Sequence, residues 1–171
     1  YSSLNPSMLF DSSKTWFGKV TTLIHCHLSP NTRDDQGKYS PPMFSVGDIQ
    51  VFSKLFTVST LSPKLKQYFS ILLVTKQGIY ALTMKPGANP INFNSLATNK
   101  EFANKMSRKL EDKYADLLPE EGSFDPMPTR ADYEKEFLKF IKDNNLSLDL
   151  YKLDYCGSQI NGNLNWKYLE L

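Results

Sequence analysis

Two histidines separated by a single residue, His25 and His27, form the densest cluster of reactive side chains in the sequence, with Cys26 between them. On an extended strand, alternate residues point to opposite faces, so both imidazoles share one face and the thiol points to the other. A zinc site needs three or four converging ligands. No second cluster supplies the rest, so we predict a plain strand with outward histidines and no metal.

Paired carboxylates are the next candidates for chemistry, because two of them can act as a general acid and a general base. Asp34 and Asp35 form one pair, and Glu120 and Glu121 form another. Both pairs lie in polar stretches, which favours solvated charges over catalytic groups. There is also no glycine-rich phosphate loop and no nucleophile elbow. We therefore predict a domain with no catalytic residues and no cofactor.

Basic residues interleaved with aromatic ones suggest a different activity, since aromatic rings stack on bases and lysines follow the phosphates of single strands. The residues in question are Phe52, Lys54, Phe56, Lys66, Tyr68 and Phe69. The simpler alternative is that the rings pack inward while the lysines are solvated, and this alternative is favoured.

Composition narrows the class of protein. The 171 residues are 40% hydrophobic and 22% charged, which indicates one globular domain. The net charge is +2, and a domain that grips nucleic acid through phosphates usually has a larger basic excess. Two distant cysteines are too few for a disulfide-stapled secreted domain, so we expect reduced thiols inside the cell. No apolar run reaches the length of a membrane span.

Hydrophobic periodicity divides the chain into a β-rich part, a helical part and a C-terminal part. A capping box, Thr98 to Glu101, begins one amphipathic helix, and Thr129 caps a second. We predict an α+β domain: an antiparallel β-barrel in residues 1–97, two helices packed on it in 98–145, and C-terminal extended strands in 146–171. The barrel strands are expected at 15–28, 49–59, 67–75 and 79–84.

The Gly47-Asp48-Ile49 turn into a strand resembles a motif of one barrel family. It is similar to the strand entry in the oligonucleotide/oligosaccharide-binding (OB) barrels of telomere end-binding proteins, which include the alpha subunit of the ciliate protein and its protection-of-telomeres relatives. The order of elements agrees over residues 15 to 145. Two strands of the family are missing between Leu28 and Phe44, so we expect that this sequence omits a segment of the natural chain there. Gln50 replaces the usual basic residue.

This resemblance implies a nuclear, non-catalytic OB subunit of a telomere or telomerase complex. It would bind telomerase reverse transcriptase or telomere proteins and promote recruitment or processivity. Its protein contacts would include the polar loop residues Asp34, Asp35, Lys38 and Tyr39. The alternative is a domain that binds single-stranded telomeric DNA through the six basic and aromatic residues named above. A further alternative is an unrelated α+β domain.

Overall fold

Five strands form one open mixed sheet, in which they lie side by side in chain order. They are β1 (Thr22–His27), β2 (Ser70–Thr75), β3 (Gly78–Met84), β4 (Leu148–Asp154) and β5 (Asn165–Leu169). β1 and β2 run parallel, and every other neighbouring pair is antiparallel. The structure is a computed structural model, and it describes residues 9–15, 17–27, 41–75, 78–87, 89–120, 123–154 and 165–171.

The helices form a layer against one face of this sheet. They are α1 (Val46–Val58), α2 (Pro63–Lys66), α3 (Ile91–Thr98), α4 (Lys100–Ala115) and α5 (Arg130–Asp143). α1 packs against α3 and α4, and α4 packs against α5. The fold is therefore an α+β sheet with helices on one face.

The predicted OB-type barrel is wrong. In a closed barrel the first and last strands pair, whereas here β1 and β5 are the two opposite edges of the sheet. The physical reason lies in the parallel pairing of β1 with β2. Parallel neighbours need a long crossover connection, usually a helix, and here α1 lies in that connection. The β-rich half is therefore a β-α-β unit followed by a hairpin.

The strand predicted for residues 49–59 is also wrong, because this segment is α1. Ser45 is its N-cap: the Ser45 hydroxyl accepts a hydrogen bond from the Asp48 backbone N–H at 3.2 Å, and the Asp48 carboxylate accepts one from the Ser45 N–H at 2.8 Å. These reciprocal bonds satisfy amides that a helix start leaves free. Gly47 and Asp48 thus belong to the first turn of a helix.

Other elements were predicted correctly. β2 and β3 form the antiparallel hairpin, and α5 begins after its predicted cap Thr129. The helix predicted after Thr98 is α4, but the predicted capping box is wrong: Asn99 is the N-cap, and the Thr98 hydroxyl donates to the Asn94 carbonyl as the last residue of α3. In α5 the hydrogen bonds from the Thr129 hydroxyl and backbone lower the pKa of Asp132. Two extended segments, β4 and β5, follow as expected. The segment between Leu28 and Phe44, where the sequence was predicted to omit residues, lies mostly outside the described residues.

The core lies between the sheet and the helices. Alternate residues of β2, β3 and β4 point into it, which is why the burial of β2 has a period of two. The helices contribute large aromatic side chains that are almost fully buried. Members of this core include Ile71, Leu73, Leu82, Leu150, Phe52, Phe93, Phe137 and Phe140.

One polar cluster attaches α5 to the sheet. The buried Tyr80 hydroxyl donates a hydrogen bond to Glu134 Oε1 at 2.7 Å. Arg130 and Lys152 pair with the same carboxylate oxygen at 3.0 and 3.1 Å. Burial, and then the hydrogen bond to Glu134 and the negative charge of that carboxylate, raise the pKa of Tyr80 well above its usual value. The hydrogen bond and the two cations compensate the negative charge of Glu134, because an unpaired carboxylate would be costly to bury.

Among the described residues, no helix is both long and apolar enough to span a membrane.

Candidate metal centre

The crossover topology brings the end of β1 to the start of α1. In a β-α-β unit, the carboxyl end of the first strand and the N-terminus of the following helix lie at the same edge of the sheet. His25 and His27 are in the last three residues of β1, and Asp48 is in the first turn of α1. Three ionisable side chains that are far apart in sequence are thus adjacent in space.

Both histidines face the helices because they share one face of β1. The register pairs His25 with Leu73 and His27 with Thr75, and Leu73 and Thr75 both point to the helical side of β2. Cys26 alternates to the other face and is exposed. The sequence analysis predicted the separation of the thiol from the imidazoles correctly. Its prediction that the histidines point outward is wrong, because the helices cover the face of the sheet that carries them.

The ligand atoms of these residues converge. His25 Nε2 lies 3.4 Å from Asp48 Oδ1, and His27 Nε2 lies 3.7 Å from Asp48 Oδ2. The candidate ligand atoms of all three residues lie within 4.8 Å of one another. Both nitrogen–oxygen distances exceed those of ordinary hydrogen bonds, which are roughly 2.7–3.2 Å.

The same separations suit a shared metal ion. Two ligands that are each about 2.0–2.1 Å from a tetrahedral zinc ion lie about 3.3 Å apart. The observed 3.4 and 3.7 Å are close to that value. Two of the three separations therefore suit a shared zinc ion, and all three ligand atoms lie within 4.8 Å of one another.

Neighbouring groups orient two of the three side chains. His27 Nδ1 lies 2.9 Å from the Pro41 carbonyl oxygen. A carbonyl only accepts, so Nδ1 carries a proton, and Nε2 is the ring nitrogen that faces Asp48. Ser45 donates to Asp48 Oδ2 twice, from its backbone N–H and from its hydroxyl, each at 2.8 Å. Such outer partners are typical of metal ligands.

The centre is open on one side and closed on the other. The side chain of His25 is 44% exposed, whereas those of His27 and Asp48 are 10% exposed. On the closed side, Tyr114 is buried, and the pKa of its hydroxyl is raised, first by burial and then by the nearby charge of Asp48. A small molecule can therefore approach the ligands from the His25 side.

The residues predicted to bind nucleic acid are arranged differently. Phe52 and Phe69 are each 1% exposed and belong to the core. Phe56 packs against Phe69, and Lys66 Nζ lies 5.3 Å from the centre of the Phe56 ring. Lys54 is half-buried on α1, and Tyr68 is exposed. The DNA-binding alternative stays a prediction in which Tyr68 is the one aromatic with an exposed ring.

The residues predicted to contact proteins, Asp34, Asp35, Lys38 and Tyr39, lie outside the described residues. The sequence analysis missed Asp48 as a partner of the histidines. The signal was present: Ser45-x-x-Asp48 is a capping box, and Ile49, Phe52 and Phe56 recur at helical spacing after it. If this capping box is interpreted as the start of a helix that follows the histidine-bearing strand, it predicts Asp48 beside the two histidines.

Comparisons of the chain with protein-family models, with curated proteins and with solved structures found no match. The resemblance to telomere end-binding proteins is therefore not tested by any relative. The α+β fold class rests on the open sheet itself.

Proposed function

We propose that this chain is a metal-dependent hydrolase that binds Zn²⁺ through His25, His27 and Asp48. The observation that carries the proposal is the convergence of these three side chains within 4.8 Å. Structural zinc sites have four protein ligands, whereas catalytic sites keep three and leave one position for water or substrate. Two histidines and one carboxylate, with His25 exposed, correspond to the second type.

The chemistry follows from the open position. Zinc in such a site lowers the pKa of a bound water to about 7 and polarises a substrate carbonyl. The protein's own residues hold the ligands: Pro41 keeps the His27 ring in one tautomer, and Ser45 holds the Asp48 carboxylate. The exposed flank of His25 admits the substrate. Hydrolysis of an acyl bond is the reaction that this arrangement supports best.

The proposal replaces the prediction of a non-catalytic domain without metal, because the sequence pattern does not place Asp48 beside the histidines. The telomere or telomerase function stays a prediction. It was inferred through an OB barrel, and the sheet is open.

Metal analysis and a hydrolysis assay test the proposal. The chain, purified without a histidine tag and stripped of metal, is titrated with Zn²⁺ by calorimetry. It is then assayed on a fluorogenic library of short peptides. We expect one zinc ion per chain and cleavage that chelators abolish and zinc restores. Absence of zinc binding would refute the proposal. So would selective binding of Fe²⁺ with oxygen consumption, because two histidines and a carboxylate also hold iron in oxygenases.

Replacing Ser45 by alanine should weaken the metal site and destabilise α1. The variant loses the N-cap of α1, which costs about 1 kcal/mol of unfolding free energy. It also loses a hydroxyl that donates to Asp48, which should lower zinc affinity by about 10–100-fold. Urea unfolding and zinc titration measure the two effects separately.

Thr129→Ala is the matched control, because Thr129 caps α5 with the same pair of reciprocal bonds, here made with Asp132. It should lose similar stability and keep zinc affinity. Equal zinc affinities in the two variants would show that Ser45 acts only as a cap.

A further inference from the structure

The sheet face opposite the helices carries three aromatic side chains, which we call the aromatic patch: Tyr151, Trp166 and Tyr168. Tyr151 points to this face because Leu150, its neighbour on β4, points into the core. Tyr151 pairs with Tyr168 of β5, and Trp166 lies on the same face, two residues before Tyr168. The ring centres of the two tyrosines are 5.4 Å apart. Trp166 and Tyr168 are 39% and 44% exposed, so the patch is open to solvent.

A nearly buried carboxylate, that of Asp149, borders this aromatic patch. Asp149 is 8% exposed and lies two residues before Tyr151 on β4, on the same face of the sheet. The Tyr168 hydroxyl donates a hydrogen bond to Asp149 Oδ1 at 3.2 Å. Partial burial, and then the charge of Asp149, raise the pKa of Tyr168, so the hydroxyl stays protonated and carries no charge. Asp149 takes part in no ion pair with another described residue.

The other buried carboxylate that a tyrosine holds, Glu134, has a different set of partners. Glu134 is 9% exposed, and it accepts from the Tyr80 hydroxyl much as Asp149 accepts from that of Tyr168. It also pairs with two cations, Arg130 and Lys152. A buried carboxylate without a cation is costly. The comparison therefore indicates that a positive charge from a bound molecule would complete the site at Asp149.

A cavity of about 420 Å³ lies beside Asp149. Asp149, Tyr168 and Glu170 contribute to its wall, and so do Lys85 and Lys142. Both lysines are exposed, and within the described ranges neither forms an ion pair. Charges of both signs thus line the cavity. Water already solvates the exposed ammonium groups, whereas the Asp149 carboxylate is shielded from it, so a bound cation gains more here than a bound anion.

We propose that Asp149 and the aromatic patch bind an arginine side chain that a peptide segment of another protein presents. A planar guanidinium can donate two N–H groups to one carboxylate and stack on an exposed aromatic ring, here that of Tyr168 or Trp166. A quaternary ammonium has no N–H group to donate, and the ammonium of lysine is a compact charge without a flat face. The geometry of the site therefore favours arginine among the cationic groups.

The surface around the site indicates which residues flank this arginine. Leu153 and Ile79 pair across β4 and β3 on the same face and extend the aromatic patch with apolar side chains. We expect apolar residues beside the arginine of the peptide. The site lies on the face opposite His25 and His27, so its binding does not depend on the proposed hydrolase function or on zinc.

Three capped tripeptides test the proposal: leucine–arginine–leucine and its analogues with citrulline or glutamate at the centre. Citrulline has the shape of arginine without the charge. The dissociation constants are measured from the amide resonances of β4 and β5 in nuclear magnetic resonance titrations at millimolar peptide. We expect the arginine peptide to bind about 10–100-fold more tightly than the citrulline peptide, with or without a chelator, and the glutamate peptide to bind most weakly.

Asp149→Asn should abolish the preference for arginine over citrulline, because it removes the charge and keeps the shape of the side chain. Asp143→Asn is the matched control: Asp143 is an exposed carboxylate at the end of α5, outside the cavity wall, and its variant should keep the preference. Trp166→Ala changes an exposed residue and should weaken arginine binding by about 2–5-fold. This variant tests the patch even if Asp149→Asn does not fold.

Three results would overturn the proposal. The first is equal binding of the arginine and citrulline peptides, or no response of the β4 and β5 resonances to either peptide. The second is tightest binding of the glutamate peptide with loss of that binding in Lys85→Ala, which would assign the cavity to an anion. The third is an equal loss of preference in Asp143→Asn and Asp149→Asn, which would show a general charge effect without a specific site.

Discussion

Alanine at His27 should lower the zinc affinity of the chain by at least about 100-fold and abolish the proposed hydrolysis. Zinc sites with four ligands have binding free energies of about 10–16 kcal/mol, or about 3 kcal/mol for each ligand. Every 1.4 kcal/mol is a factor of ten in affinity. His27 should matter more than His25, because its ring is buried and already oriented by the Pro41 carbonyl.

The effect of this substitution on folding should be much smaller. His27→Ala loses one hydrogen bond to a backbone carbonyl, which is typically worth about 0.5–1.5 kcal/mol. Circular dichroism and urea unfolding should therefore show a folded variant in which zinc no longer binds. This separation between folding and metal affinity distinguishes a ligand from a residue that only supports the fold.

Cys26→Ala is the matched control for His27→Ala. Cys26 lies between the two histidines on the same strand, but its exposed thiol is on the other face. The control should bind zinc as tightly as the unmodified chain. Zinc affinity that survived in His27→Ala and fell in Cys26→Ala would contradict the assigned ligand set.

The second large effect is expected at Phe137, where alanine should cost about 3–5 kcal/mol of unfolding free energy. Its side chain is fully buried, and its ring centre lies 5.7 Å from that of Phe44. The contact joins α5 to the segment just before α1. Because small domains are stable by only about 5–15 kcal/mol, the loss would remove a large fraction of the total.

Urea unfolding, monitored by tryptophan fluorescence, measures this loss of unfolding free energy. Lys135→Ala, an exposed residue of the same helix, should change the free energy by no more than about 0.5 kcal/mol. If Phe137→Ala does not fold, Phe137→Leu should still show a smaller, measurable loss. A change below about 1 kcal/mol in Phe137→Ala would show that α5 is not part of the core.

Local signals in the sequence predicted the parts of the fold that local physics determines. The β2–β3 hairpin was recognisable from β-branched and aromatic residues on either side of a short loop. α5 was recognisable from its cap Thr129, and both α4 and α5 were recognisable from apolar residues at helical spacing. In these segments the preference of each stretch agrees with its place in the fold, so the sequence alone was sufficient.

α1 was misassigned because its sequence satisfies two periods at once. Ile49, Val51 and Leu55 fit the alternation of a strand, whereas Ile49, Phe52 and Phe56 fit a helix. The alternating period led to the prediction of a strand. The capping bonds between Ser45 and Asp48 were the local evidence for a helix.

The metal centre could be predicted only in part. The period of a strand was enough to place His25 and His27 on one face. Asp48 lies about twenty residues further along, and only the parallel pairing of β1 with β2 brings it back to them. That pairing is a long-range property of the chain, which no short motif displays by itself.

The position of β1 at the edge of the sheet has a thermodynamic consequence. Within the described part of the chain, β1 is hydrogen-bonded to one neighbouring strand only, and an ion held by His25, His27 and Asp48 would tether it to α1. A ligand that binds only the native state stabilises it by about 2.7 kcal/mol when its free concentration is 100 times its dissociation constant. Zinc availability would then set the melting temperature of the chain, and amide exchange in β1 would slow as the ion is added.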